Sequence, residues 1–242
     1  MVSHGQGSLV ANLLADLAEC AQVAEVIVTL NVPEPDIACP DSLRSRMRVV
    51  RNSAPLGFGA NHNQAFALCR TPCFAVVNPD VRLLANPFST LLRVLDDQGT
   101  GVAVPAVVNP DGGREDSTRR FPTLSGLLGK AFGHDESLVA AAGDLPIAVD
   151  WAAGMFLVFR SETFRRLGGF DAGYFLYYED VDLCVRLWKA GLRVLVHPGV
   201  TVIHSARRDS RKRIRYMVWH LSSMARYFFK HFGRLPSTGV RA

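Results

Sequence analysis

Three acidic residues, Glu179, Asp180 and Asp182, follow directly on the aromatic run YFLYY. The pattern predicts a helix over 180–190 that ends at Gly191, a residue suited to the position after a helix. The acids then lie at its N-terminal end, where the helix dipole favours negative charge, so an ordinary charged helix start is one interpretation. The other is chemical: a carboxylate against an aromatic wall is partly desolvated, which raises its pKa and its basicity. Asp180 is then a candidate base that takes a proton from a hydroxyl group.

The two neighbouring acids are assigned different roles. Glu179 is expected to accept a hydrogen bond from the molecule that Asp180 deprotonates. Asp182 is expected either to cap the helix or to pair with Arg186, four residues further on.

A second candidate centre lies in VVNPDVRL, where Asn78 and Asp80 follow a run of apolar residues. Pro79 fixes the turn, so both polar side chains are expected to project beyond the sheet edge. Oxygen atoms at positions i and i+2 suit a hard divalent cation, although an Asx-type turn without metal gives the same pattern. His204 follows the apolar stretch VTVI. As a neutral imidazole it would complete the metal ligands, and a histidine satisfied in the core or by solvent is the alternative.

The elements that must position these residues alternate along the chain. This alternation predicts an α/β fold with a doubly wound, mostly parallel sheet, in which ligands bind beyond the carboxyl ends of the strands. The segment 123–146 is expected to be a mobile loop with short helices. Strands are predicted at 25–30, 47–51, 74–78, 101–108, 149–160 and, as two short strands, 192–204. Helices are predicted at 9–20, 60–69, 87–97, 161–168 with Ser161 as N-cap, 180–190 and 209–233.

Polar or turn-forming residues come at the predicted strand ends. Each of them could be an ordinary turn residue, but their position at one sheet edge favours a binding cleft. The loop 52–66 that follows the third strand has glycines that allow close backbone approach, and it leads into a helix N-terminus that favours phosphate. It has neither the Gly-Lys-Ser/Thr of a P-loop nor a third glycine for G-x-G-x-x-G. The strand-end residues are Ser3, His4, Gly5, Asn31, Asn52, Asn78 and Asp80.

Composition indicates one large α/β domain, since the 242 residues are 48% hydrophobic and 20% charged. Five irregularly spaced cysteines predict reduced thiols in a cytosolic protein rather than a zinc site. No apolar run approaches the ~20 residues that cross a bilayer, and the N-terminus lacks the pattern of a signal peptide.

The positive charge is concentrated at the C-terminal end. The net charge is +5, and residues 206–242 carry ten Arg/Lys and one Asp, so the rest of the chain is mildly acidic. A basic amphipathic helix of this kind suits anionic lipid headgroups. A helix packed on the domain with a solvated basic face is the alternative, and a nucleic-acid-binding module is a third. In the predicted tail helix, the apolar residues at helical spacing are Ile214, Met217, Val218, Leu221, Met224, Ala225 and Phe228.

Three segments together resemble glycosyltransferase family 2, the inverting enzymes of GT-A fold. They are the loop 52–66, the turn around Asn78-Pro79-Asp80, and the segment 150–204 with its GGFD…FLYYEDVDLC block. Within that family the likeness is to bacterial rhamnosyltransferase-like members that build cell-surface polysaccharide. The resemblance implies one domain over 1–205, with a nucleotide-sugar half (1–108) and an acceptor and catalytic half (109–205), followed by the helical tail 206–242.

The resemblance also implies roles for individual residues. Asp80 and His204 would hold Mg²⁺ or Mn²⁺ on the diphosphate of a sugar nucleotide, and Asp180 would be the catalytic base beside Glu179. Donor contacts are expected from Asn31, Asn52, Gly57, Asn63 and Asn78, together with Ser3, His4 and Gly5. Acceptor contacts are expected from Trp151, Gly154 and Glu179.

The chain departs from the family pattern in three places. Asn78 replaces the first acid of an Asp-x-Asp motif, and Asn31 stands where an acid often binds the nucleoside. Only Met1-Val2 precede Ser3, so either the first strand is short or the start lies upstream.

The expected function is inverting transfer of a sugar, with rhamnose as a candidate, from a nucleotide-diphosphate donor to a glycan or lipid-linked glycan. The alternative is a catalytically inactive sugar-nucleotide-binding homologue or scaffold. Acceptor choice is expected to reside in 121–148. The expected location is cytoplasmic, with peripheral binding to the inner face of the plasma membrane through 207–230 left open.

Overall fold

The computed structural model describes residues 1–131, 143–205 and 214–240, and it confirms an α/β fold. Helices and strands alternate over the first hundred residues, as the sequence predicts. The strands are β1 (Val2–Ser3), β2 (Val26–Leu30), β3 (Met47–Arg51), β4 (Cys73–Val77), β5 (Val81–Arg82), β6 (Thr100–Val108), β7 (Thr118–Arg119), β8 (Ile147–Val149), β9 (Trp151–Ala152), β10 (Phe156–Arg160) and β11 (Arg193–His204). The helices are α1 (Gly7–Ala18), α2 (Asp41–Arg44), α3 (Phe58–Leu68), α4 (Phe88–Asp96), α5 (Leu124–Ala131), α6 (Ser161–Arg166), α7 (Glu179–Lys189) and α8 (Ile214–His231).

The first sheet is parallel and aligns three of the predicted strand ends. It has the order β1-β2-β3, with Ser3 opposite Leu30 and Leu30 opposite Arg51. Because the three strands run in the same direction, the residues that follow them lie next to one another at one edge of the sheet.

The second sheet is mixed and carries the other strand ends. Its order is β4-β10-β6-β11-β5, with β8 paired to β11. Strand β10 runs antiparallel between β4 and β6, while β11 runs parallel to β6. The start of β10 therefore lies beside the end of β4, which brings residues 153–155 to the same edge as residues 78–80.

Apolar side chains pack on both faces of the second sheet. Along β10, Leu157 and Phe159 belong to one cluster with α7, whereas Phe156 and Val158 belong to another with α1 and α4. This alternation follows from the two-residue period of a strand. Each face is covered by helices, which fixes the strand ends as a rigid base for the site.

Several predicted elements are corrected by the structure. The stretch 192–204 is one strand with a register shift between His197 and Thr201, not two strands. The stretch 149–160 is three strands rather than one. Ser161 is not an N-cap: its hydroxyl donates to the Thr71 carbonyl, and Arg160 occupies the cap position. Part of the predicted loop 123–146 and the start of the predicted tail helix lie outside the described residues.

Candidate active site

Asp180 lies in the first turn of α7 with both carboxylate oxygens held by the backbone. Its Oδ2 accepts a hydrogen bond from the Gly154 N–H at 2.9 Å, and its Oδ1 accepts one from the Val181 N–H at 2.8 Å. Burial raises the pKa of Asp180, and these two donors oppose the shift because they stabilise the ionised form. As a whole residue Asp180 is half-buried. The two backbone donors thus hold a carboxylate of increased basicity in a fixed position.

Glu179, the residue before Asp180, is more deeply buried than Asp180. Its side chain is 4% exposed, and among the described residues its Oε2 has no hydrogen-bond partner. Burial and the neighbouring charge of Asp180 raise the pKa of Glu179 well above its usual range. We therefore assign the shared proton of this coupled pair to Glu179 and the negative charge to Asp180, whose oxygens have the backbone donors.

The backbone that delivers the two acids is strained. Tyr177 and Tyr178 have φ values of 71° and 65°, a left-handed conformation that costs non-glycine residues energy. Tyr178 packs on Tyr227 of α8, with ring centroids 5.3 Å apart, and Ser223 of α8 donates to the Leu176 carbonyl at 2.8 Å. Helix α8 thus holds the strained turn in place.

The turn that carries Asp80 is joined to the Asp180 site through one short segment. The Asn78 N–H donates to the Met155 carbonyl at 2.9 Å, and Met155 follows Gly154, whose N–H binds Asp180. A Cβ at Gly154 would press on the Phe58 ring at 3.0 Å and lie 3.7 Å from Asp180 Oδ2, so the segment passes close to both side chains. The two predicted centres therefore lie at one sheet edge and are both bonded to the segment Gly154-Met155.

Asp80 faces His204, as the predicted metal site requires. Asp80 Oδ1 and His204 Nε2 are 3.4 Å apart, and Oδ1 is buried without a hydrogen-bond partner among the described residues. On the other side of the imidazole, Nδ1 lies 2.7 Å from Glu115 Oε2. Burial lowers the pKa of His204, but the carboxylates of Asp80 and Glu115 outweigh burial and raise it above the usual value.

The chemistry of this cluster fits a divalent ion that takes further ligands from a substrate. The described residues hold no group of three or more His, Cys, Asp or Glu side chains arranged to enclose a metal. Mg²⁺ and Mn²⁺ sites that also bind phosphates often use only one or two protein ligands. Asp80 and His204 would supply those two, and Glu115 would orient the imidazole, as carboxylates do behind metal-binding histidines.

An asparagine network positions the glycine-containing loop. Asn31 Oδ1 accepts from the Leu56 N–H at 2.8 Å and from Asn52 Nδ2 at 2.7 Å, and Asn52 also donates to Asn61 Oδ1 at 2.7 Å. Asn61 in turn donates to the carbonyls of Leu56 and Gly57. Asn31 is fully buried, so in this conformation it supports the loop, and its direct contact with a nucleotide stays a prediction.

The other predicted donor residues fall into two groups. Ser3, His4 and Gly5 lie together at the end of β1, where Ser3 Oγ and the Gly5 N–H both donate to the Glu34 carboxylate. The side-chain amide of Asn63 bonds to the backbone instead. It donates to the Phe170 carbonyl and accepts from the Phe170 N–H, and these bonds hold the turn before the aromatic run in place.

The predicted acceptor residues also have structural contacts. Trp151 Nε1 donates to the Arg120 carbonyl at 2.9 Å, and its ring is partly buried against the core. Contact of Trp151, Gly154 or Glu179 with an acceptor stays a prediction.

Sequence reasoning missed Glu34, Asn61 and Glu115. Glu115 is separated from His204 by 89 positions and sits in a turn-rich stretch with no local pattern. Asn61 lies in the loop 52–66, and its spacing of four residues from Gly57, to whose carbonyl it donates, is a local signal that could have identified it.

Gly57 gives a direct test of the contact between the loop and the aromatic run. A Cβ there would lie 2.5 Å from the Phe175 carbonyl oxygen, and the adjacent Phe58 N–H donates to that oxygen at 2.9 Å. Because the obstacle is backbone, Gly57→Ala should displace the run that leads to Asp180. We expect a loss of about 1–3 kcal/mol in unfolding free energy, measured by urea denaturation, together with reduced turnover.

Gly7→Ala is the matched control. A Cβ at Gly7 would meet only Glu34 and Ile37 side-chain atoms at 3.8 Å, which is ordinary contact. We expect it to change stability by no more than about 1 kcal/mol. Equal behaviour of the two variants would show that the loop does not constrain the aromatic run.

The fold and this edge define the class of protein. Helices pack on both faces of the second sheet, Glu179 and Asp180 begin α7, and Asp80 of the Asn-Pro-Asp turn lies 3.4 Å from His204. Solved glycosyltransferases of GT-A fold share the architecture. GalNAc-T7, solved with UDP, GalNAc and Mn²⁺, matches with a TM-score of 0.69 at 14% identity over 94% of this chain and 46% of its own. The mannosyltransferase PcManGT of Pyrobaculum calidifontis, solved with GDP-Man and Mn²⁺, matches at 0.59 and 17% over 93% and 62%.

The chain belongs to the glycosyltransferase like family 2, whose model matches residues 5–219. It is 29% identical to the rhamnosyltransferase WbbL of Escherichia coli K12 over 94% of this chain and 90% of that protein. It is also 29% identical to an N-acetylglucosaminyl-diphospho-decaprenol L-rhamnosyltransferase of Mycobacterium tuberculosis, over 73% of this chain and 65% of that protein. The resemblance seen in the sequence is thus confirmed.

Proposed function

We propose that the protein is a metal-dependent inverting glycosyltransferase that moves a sugar from a nucleotide diphosphate to a hydroxyl of a lipid-linked glycan. The observation that carries the proposal is the link Asn78–Met155–Gly154–Asp180, which supports a common site for the Asp80 turn and the proposed base at one sheet edge. Rhamnose is the proposed sugar and cell-surface polysaccharide the proposed product, because both named relatives are rhamnosyltransferases. The lipid-linked acceptor is proposed from the name of the mycobacterial relative.

Asp180 carries the chemical step in this proposal. It removes the proton from the acceptor hydroxyl as that oxygen attacks the anomeric carbon and the bond to the diphosphate breaks. Glu179 is buried and holds the shared proton, so the pair presents one ionised carboxylate. A single displacement without a covalent enzyme intermediate inverts the configuration of the sugar.

Asp80 and His204 are the residues that would hold a divalent ion. When bound, the ion offsets the negative charge of the departing diphosphate. The chain's own contribution is a carboxylate and an imidazole 3.4 Å apart, with the imidazole held by Glu115. Asn78 supplies a neutral oxygen where the family pattern has an acid, which leaves Asp80 as the charged ligand.

Glu115→Ala tests the metal site without relying on turnover. Removing the carboxylate behind a metal-binding histidine usually costs 10–100-fold in metal affinity. We expect that loss for Mn²⁺, measured by calorimetry or by the EPR signal of free Mn²⁺ in the presence of a nucleoside diphosphate. Asp80→Ala should remove the binding altogether.

Glu162→Ala is the control for that measurement, because Glu162 is an exposed carboxylate on α6. It should leave Mn²⁺ affinity at the wild-type value. If Glu115→Ala also bound Mn²⁺ like the wild type, His204 would not be a ligand oriented by Glu115.

A nucleotide-sugar screen tests the proposed function as a whole. Thermal shifts are measured with a panel of nucleotide-diphosphate sugars, rhamnose among them, with and without Mn²⁺. A donor present at 100 times its Kd should stabilise the fold by about 2.7 kcal/mol. The best donor is then supplied with a diphospholipid-linked sugar, and NMR determines the anomeric configuration of the product. Donor binding without hydrolysis or transfer would indicate an inactive homologue.

A further inference from the structure

Helix α8 has two faces of opposite character. The inner face carries Ser223, Tyr227 and His231, which are 4%, 1% and 3% exposed. The outer face is apolar and open to solvent along the whole helix. Its exposed residues are Ile214 (76%), Met217 (57%), Val218 (56%), Leu221 (51%) and Phe229 (94%), and Phe232 (67%) follows at the helix end. We call these six residues the outer face of α8.

The outer face does not hold the helix on the domain. The inner face does that through polar bonds: His231 Nε2 and Lys230 Nζ lie 2.8 and 2.7 Å from Asp182 Oδ1, and Ser223 donates to the Leu176 carbonyl. Helix α8 has 18 residues and is therefore about 27 Å long. An apolar stripe of this length opposite a fully anchored face marks an interaction surface rather than scattered exposed residues.

The charges in α8 and in the sequence directly before it indicate what would cover the outer face. Residues 207–215 include six Arg/Lys and one Asp, and α8 itself has no acidic residue. Arg215 is exposed on the first turn of α8, with its guanidinium over the Trp219 ring at 4.5 Å. A second copy of the chain would present the same helix, and α8 offers no carboxylate to pair with basic residues. Anionic lipid headgroups complement both the charge and the apolar stripe.

We propose that the outer face of α8 docks on an anionic lipid bilayer, with the helix lying in the plane of the headgroups. In the described part of the chain, no helix has the length and apolarity needed to cross a membrane. The proposed contact is one in which apolar side chains enter the bilayer boundary and basic side chains meet the phosphates.

The docking surface and the catalytic turn are connected through the same helix. Trp219 stacks on Phe175 with ring centroids 4.6 Å apart, and His220 lies 5.5 Å from the Tyr178 ring, centroid to centroid. A bilayer on the outer face therefore lies one helix diameter from the turn that carries Asp180. This consequence rests on the proposed function, since a lipid-linked acceptor would then meet the base at the membrane surface.

Vesicle flotation of the full chain tests the proposal. Vesicles contain phosphatidylcholine alone or with phosphatidylglycerol, and neither donor nor acceptor is present. We expect wild type to float with the anionic vesicles and the triple variant Met217→Ser, Val218→Ser, Leu221→Ser to bind at least tenfold more weakly. Reversal of Arg211, Lys212 and Arg213 to Glu should give a similar loss.

Leu84→Ser is the matched control, because Leu84 is 68% exposed and lies outside α8. It should float like the wild type, as should Asp180→Asn, so that failure of docking is distinguishable from failure of catalysis. Wild-type flotation of the triple Ser variant, with melting temperature unchanged, would overturn the proposal. So would a wild-type dimer in gel filtration that the triple variant converts to monomer, since a second copy would then cover the surface.

Discussion

Replacing Asp180 by Asn is expected to lower kcat at least ~100-fold, because a general base contributes 10²–10⁴ to the rate. That loss corresponds to about 2.7 kcal/mol of barrier. The neutral amide cannot take the proton of the acceptor hydroxyl, while most packing around the site is retained. Single-turnover assays with saturating donor measure the change, and calorimetry with the donor nucleotide checks that its Kd stays near the wild-type value.

Glu179→Gln is the matched control, one residue away in the same helix turn. Glu179 is buried and its pKa is raised well above the usual range, so Gln imitates its protonated form. We expect this variant to retain a far larger share of activity than Asp180→Asn. If Glu179→Gln instead loses turnover while Asp180→Asn keeps more than a tenth of it, the roles of base and proton holder are exchanged.

The strand ends of the site were predictable because an apolar strand and the polar residue after it are both local features of the sequence. Asn31, Asn52 and Asn78 follow β2, β3 and β4 as predicted, and the i,i+4 pair of Asp182 and Arg186 forms at 2.8 Å. Each of these predictions depended on residues no more than a few positions apart.

Contacts between distant segments were not predictable from local patterns. Strand β10 inserts antiparallel between β4 and β6, and its run of apolar residues does not determine which neighbours it pairs with. Glu115 reaches His204 from a turn-rich stretch 89 positions away. The side-chain amide of Asn63, for which the family resemblance predicts a donor contact, donates to the Phe170 carbonyl, 107 positions away.

The largest effect on stability is expected from Asp182→Asn. Asp182 is fully buried between α7 and α8, and its carboxylate meets Arg186, Lys230 and His231 at 2.7–2.8 Å. Removal of one partner from a buried ionic cluster leaves charge without compensation, which costs roughly 3–5 kcal/mol. For a chain of this length the melting temperature should fall by roughly 6–20 °C, as measured by calorimetry.

Asp171→Asn is the control, because Asp171 pairs with the same Lys230 but keeps 21% of its side chain exposed. Its loss should be about 1 kcal/mol, as for a partly solvated pair. A similar cost for both variants would show that burial of Asp182 adds nothing to the strength of the cluster.

Acid denaturation gives the independent signature of Asp182. Burial alone would raise the pKa of this carboxyl, but the hydrogen bond with His231, the charge of Arg186 and the hydrogen bonds from Lys230 and Arg186 outweigh burial and hold it well below its usual range. The stability that this group provides is present above the unfolded-state pKa of about 3.9 and is lost as pH falls through that value toward the folded-state pKa. Wild type should therefore lose stability more steeply below about pH 4 than Asp182→Asn, and parallel curves would contradict an ionised Asp182 at the contact between α7 and α8.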